Sequence, residues 1–198
     1  MRKSRKGIVA VIVVPLGLMV ATVVTLPGAH AAFSATATNE SNEWTAGTVK
    51  FGPNDPVGQL INISGLVPGS TVDACVKLTY TGTLSAPVKV YLKNADLGGT
   101  GLATYLTLQI NEGTGESDTC DDFALGSNIY NATGMTDVAN TLTAFNTATE
   151  NYGNGVGAWT ATTISTTKTY QILWTMQDDN AAVSKTATAT FTWEAQNS

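Results

Sequence analysis

Five carboxylates crowd the segment Glu112-x3-Glu116-x-Asp118-x2-Asp121-Asp122, eleven positions in all. Calcium takes several oxygen ligands from a flexible loop. The spacing matches no standard calcium loop, so a solvated acidic turn held by the neighbouring Cys120 is favoured, with a calcium site as the alternative. Paired carboxylates also hydrolyse glycosides, but only when the fold holds them a few ångströms apart, which spacing along a chain does not establish. Trp44, Trp159, Trp174 and Trp193 are the residue type of a carbohydrate platform. Trp174 and Trp193 fall on the apolar phase of strand-like runs and read as core, whereas Trp44 and Trp159 stay undetermined. There is no His-Glu-x-x-His, no Gly-x-Ser-x-Gly elbow and no Gly-x4-Gly-Lys loop. No catalytic residue, metal site or cofactor is expected.

The N-terminus explains part of that poverty. Arg2, Lys3, Arg5 and Lys6 precede an apolar run from Ile8 to Leu26, and small residues around Ala29 and Ala31 close it. This order is that of a secretory signal peptide, with cleavage expected near Ala29, Ala31 and Ala32. Pro15 and Gly17 interrupt the run, which weighs against a membrane-spanning helix of roughly 20 apolar residues. No cysteine stands near the site to accept a lipid, and no hydrophobic tail ends the chain. The expected organisation is a signal peptide over 1–31 and one domain over 32–198, secreted and without a membrane attachment after cleavage.

Beyond residue 31 all fifteen acids remain with six lysines and no arginine, a net charge of −9. That balance excludes a basic nucleic-acid or anionic-lipid surface. The single histidine, His30, lies before the cut, which removes the commonest general base and zinc ligand. Cys75 and Cys120 are the only cysteines. In an exported chain they are expected to form a disulfide worth about 3–4 kcal/mol, against the alternative of two separate thiols.

The elements that would position these groups are strands. Apolar residues alternate at Phe33, Ala35 and Ala37; at Val72, Ala74, Val76, Leu78 and Tyr80; and at Val88, Val90 and Leu92. The same period recurs at Leu106, Leu108 and Ile110; at Tyr170, Ile172, Trp174 and Met176; and at Ala187, Ala189, Phe191 and Trp193. Each run reads as a half-buried strand. Gly52–Pro56, Val67–Ser70, Thr81–Thr83 and Gly98–Gly101 read as breakers, and Asp178-Asp179-Asn180 as a hairpin turn. One helix is expected, capped at Thr136 or Asp137, carrying Val138, Leu142 and Phe145 and stopping near Gly153. Long surface loops are expected over 126–136 and 151–157. The fold class is mainly β, an antiparallel β-sandwich, jelly-roll-like, with one short helix and long loops in the middle.

Ala32-Phe33-Ser34-Ala35-Thr36-Ala37-Thr38, followed by Trp44-Thr45-Ala46-Gly47-Thr48-Val49, resembles the start of TasA/camelysin-like proteins. Leu66–Val72 with Tyr80–Val88 resembles the Pro-Gly-strand hairpin of that family, with Tyr-Thr-Gly where the family has Asn-Thr-Gly. Asp179-Asn180 and Thr186–Gln196 resemble its last strand, while 98–157 matches nothing in it. The resemblance implies cleavage by a SipW-type signal peptidase and a jelly-roll-like subunit of an extracellular biofilm-matrix fibre. The protease activity described for some members does not carry over to a histidine-free mature chain.

On this reading the N-terminal strand 33–38, with Phe33, Ala35 and Ala37 as its apolar ridge, adds to a sheet edge of the next subunit. Open head-to-tail addition of that kind gives filaments, with the chain itself as partner. The same strand could instead fold back on its own sheet. A monomeric cell-surface module binding glycan or calcium is the alternative function.

Overall fold

The computed structural model of the chain describes residues 34–36, 60–63, 66–117, 119–162 and 165–197. In chain order the strands are β1 (Ser34–Thr36), β2 (Leu60–Ile63), β3 (Thr71–Tyr80), β4 (Ala86–Tyr91), β5 (Leu97–Gly99) and β6 (Leu106–Thr114). They continue with β7 (Ala124–Tyr130), β8 (Thr160–Ala161), β9 (Thr166–Met176), β10 (Ala187–Thr190) and β11 (Thr192–Gln196). The helix α1 (Leu142–Ala148) lies between β7 and β8. The protein is mainly β, and every strand pair described is antiparallel.

Three sheets form, in the orders β1-β11-β4-β8, β2-β10-β5 and β3-β9-β6-β7. Only Phe191 separates β10 from β11, so one run of chain serves two sheets. Alternation predicts the inward residues well. Val76, Leu78 and Tyr80 of β3, Leu106, Leu108 and Ile110 of β6, and Tyr170, Ile172, Trp174 and Met176 of β9 are buried. They share one core with Val88, Val90, Ala187, Ala189, Phe191 and Trp193. Val72 departs from the pattern and is exposed, because β3 overruns the core at its start. An aromatic chain runs through the core: Tyr130 edge-on to Phe145 at 4.8 Å, Phe145 to Phe191 at 5.7 Å, Phe191 to Trp193 at 6.3 Å and Trp193 to Tyr170 at 5.7 Å. Such pairs add about 0.5–1.5 kcal/mol each beyond burial.

The helix begins later than its apolar spacing suggests. Thr141 caps it, its hydroxyl accepting the Ala144 N–H at 3.1 Å, and the helix ends at Ala148 rather than near Gly153. Asp137 accepts the Ala139 N–H instead, in a local turn. Val138 is therefore exposed, while Leu142 and Phe145 are buried.

Three turns also differ from expectation. Gly98 and Gly99 lie within β5, paired with Thr188 and Ala187. A Cβ at Gly99 would stand 2.2 Å from the Thr186 carbonyl oxygen, and its φ is +113°, so glycine here permits close strand approach. Asp179 caps a short 3₁₀ turn by accepting the Ala181 N–H at 2.8 Å. That turn leads from β9 in one sheet to β10 in another, so it is no hairpin. Likewise β3 and β4 lie in different sheets, and the hairpin implied by the resemblance is a crossing. The Tyr80 hydroxyl donates to the Leu84 carbonyl and fastens it. Finally, the loop expected from Gly126 is β7 as far as Tyr130.

Candidate assembly edge

β1 occupies the edge of the sheet β1-β11-β4-β8. Ser34 stands opposite Gln196, Ala35 opposite Ala195 and Thr36 opposite Glu194. β2 pairs with β10, Leu60 opposite Thr190 and Ile63 opposite Ala187. Both segments run antiparallel to the continuous β10–β11 line and on the same flank of it, because β4 and β5 hold the other flank. β1 thus lies on β11 at one end of this flank, and β2 lies on β10 at the other. In this chain β1 folds back on its own sheet. The remaining ridge residues Phe33 and Ala37, and the cleavage residues Ala29, Ala31 and Ala32, lie outside the described residues.

The neighbour of β1 carries a buried acid. Glu194 accepts the Tyr91 hydroxyl at 2.7 Å and the Gln196 side-chain amide at 2.6 Å. Burial and the Glu194 carboxylate push the Tyr91 hydroxyl well above the ordinary tyrosine range. Lys89 is the register partner of Glu194, but its ammonium sits 5.0 Å over the Tyr152 ring, within cation–π range.

A second buried acid, Glu112 of β6, is only 2% exposed. Its Oε1 accepts the backbone N–H groups of Ala158 at 3.0 Å and Trp159 at 3.3 Å. These residues lead into β8, in the other sheet, so one carboxylate fastens two sheets. Burial raises the Tyr170 hydroxyl far above its ordinary range, and the adjacent Glu112 raises it further. Glu112 turns inward beside Tyr170, its register partner. Glu194 takes the opposite phase to the core residues Trp193 and Ala195 on β11. Glu112 thus faces the core from the sheet β3-β9-β6-β7, while Glu194 belongs to the sheet β1-β11-β4-β8 and points away from that core. Glu112 continues the inward phase of Leu106, Leu108 and Ile110, a signal masked by its place at the head of the acidic run.

The rest of that loop is tied up internally. Asp122 accepts the backbone N–H groups of Glu116 at 2.8 Å and Ser117 at 3.0 Å, which hold its carboxyl below the ordinary range. Asp121 accepts the Thr119 hydroxyl at 2.6 Å, and Glu116 pairs with Lys77. Asp118 lies outside the described residues. Cys120 is joined to Cys75 in a disulfide, with Cα atoms 5.3 Å apart. Among the described residues no group of three or more His, Cys, Asp or Glu is placed to hold a metal ion.

Trp174 and Trp193 are core residues, and Trp159, 9% exposed, is buried as well. Trp44 lies outside the described residues. No helix among the described residues is long and apolar enough to cross a membrane. Comparison with models of protein families, with characterised proteins and with solved structures finds no match to this chain.

Proposed function

We propose that this chain is a secreted, non-enzymatic subunit of an extracellular fibre, of the TasA/camelysin-like kind, that assembles by adding its N-terminal strand to the next subunit. The observation that carries this reading is the edge position of β1. It is three residues long, pairs among the described residues with β11 alone, and is separated by 37–59 from β2, which holds its own place on β10. A strand so placed can leave without dismantling the core, and the vacated flank of β11 accepts an identical strand in the same register.

The strand orders β1-β11-β4-β8 and β3-β9-β6-β7 are those produced by two interlocked Greek keys, which supports a jelly-roll-like arrangement. The disulfide agrees with an oxidising, extracellular location. The placement of Glu112 and Glu194 in different sheets, one facing the core and one facing away from it, supports a structural role over a glycosidase one.

The test compares a chain beginning at Ala32 with one beginning at Asn39, by size exclusion and negative-stain electron microscopy over a range of concentrations. Filaments from the longer chain and folded monomers from the shorter are expected. Folded monomers from both would refute assembly through 33–38.

A further inference from the structure

β3 is an edge strand of a different sheet, with β9 as its one strand neighbour among the described residues. Ser70 and Tyr80 accept N–H groups from the β9 side, those of Met176 and Ser165. Backbone groups alternate in direction along a strand, so the even-numbered residues of β3 bond to β9. Asp73, Cys75 and Lys77 turn their N–H and C=O groups to the flank that no described strand occupies.

The order of residues around Cys75 is self-complementary. Ala74 and Val76 flank it, then Asp73 and Lys77, then Val72 and Leu78. Two such strands laid antiparallel about a two-fold axis at Cys75 place each Asp73 opposite a Lys77. Opposite charges in that position favour pairing and like charges oppose it, and an isologous contact of this kind closes as a dimer.

A strap now lies over this strand. The described residues of the β6–β7 connection, 115–117 and 119–123, cross β9 and reach β3. The Thr169 hydroxyl donates to the Gly115 carbonyl at 2.7 Å, Glu116 takes Lys77, and Cys120 takes Cys75. Burial changes along the strand to match: 71–73 are exposed, while Cys75 is 3% exposed despite its edge position. The strap thus occupies two of the three side chains that self-pairing would use.

We infer that the Cys75–Cys120 disulfide is a latch over a second assembly edge: closed, it keeps β3 covered, and open, it lets β3 pair with β3 of a second copy about Cys75. Oxidation after export closes this edge and leaves the β1 flank as the open one. The occupant is a second copy of this chain because the charge order of β3 complements itself.

The test is sedimentation of the purified chain with and without dithiothreitol, which supplies two electrons and two protons to give two thiols while closing to its own cyclic disulfide. The oxidised chain is expected to show no pairing through β3, and the reduced chain to dimerise at least tenfold more tightly. Asp73→Lys in the reduced chain is expected to abolish that gain, and the exchange Asp73→Lys with Lys77→Asp to restore it. Neither substitution touches β1, so assembly through that strand is insensitive to them and the two readings separate. A reduced chain that stays monomeric, or dimerises regardless of these charges, overturns the proposal. So does a reduced chain that unfolds by circular dichroism, because a latch requires a folded strand beneath it.

Discussion

Glu112 of β6 reaches the segment that leads into β8 of the other sheet: its carboxylate accepts the backbone N–H of Trp159 at 3.3 Å while holding the Ala158 N–H at 3.0 Å. A buried N–H left without a partner costs about 1–3 kcal/mol. Glu112→Gln keeps an acceptor oxygen and removes only the charge. Glu112→Ala leaves both N–H groups without one and opens a cavity. Urea unfolding is expected to show the alanine variant less stable than the glutamine variant by at least about 2 kcal/mol. Equal stabilities would mean that the clamp contributes nothing.

Tyr91 and Tyr170 are held above the ordinary tyrosine range, chiefly by burial and then by Glu194 and Glu112. A raised pKa means that the unfolded chain releases these protons first. Stability is therefore full below about pH 10 and falls as pH rises beyond it. Ultraviolet absorbance of tyrosinate is expected to show these two rings titrating only with loss of near-ultraviolet circular dichroism. Their ionisation at ordinary pH in the folded state would contradict the described burial.

Asp122 is shifted the other way, its carboxyl held low by the Glu116 and Ser117 N–H groups. Its contribution is present above about pH 4 and is lost as pH falls through the lower, folded-state value. A carbon-detected titration is expected to place Asp122 below the ordinary aspartate value, and Asp122→Asn to remove that step while leaving the strap amides attached. An ordinary titration curve for Asp122 would mean that the turn is open in solution.

Gly99→Ala tests the approach of β5 to β10. The added methyl would meet backbone at Thr186, and the positive φ disfavours any side chain. A loss of more than about 1 kcal/mol is expected in thermal or urea unfolding. A neutral result would show that β5 moves aside freely.

The alternation at Leu106–Ile110 and Tyr170–Met176 was enough to place β6 and β9, because both strands put one face on the core. β7 was not legible. Ala124–Ser127 are exposed and Leu125 is 64% exposed, so this strand is held by ladder bonds to β6 and leaves no hydrophobic period. Cys75 sits on the polar phase of β3 and is buried by its partner in the strap, which local patterning does not report. Glu112 was hidden for a related reason. A carboxylate at the end of a strand looks the same whether it reaches water or two backbone amides across a core. Gly98-Gly99 gives a turn signal by composition, and only the nearness of Thr186 makes it a strand.

β11, the last strand, lies between β1 and β4, both of which come from the first half of the chain. A polypeptide synthesised only as far as β10 therefore lacks the central strand of that sheet. It also lacks Trp193, which fills the core beside Tyr170. Contacts this distant in sequence form slowly. Closure of that sheet thus waits until β11, the last strand, has been delivered.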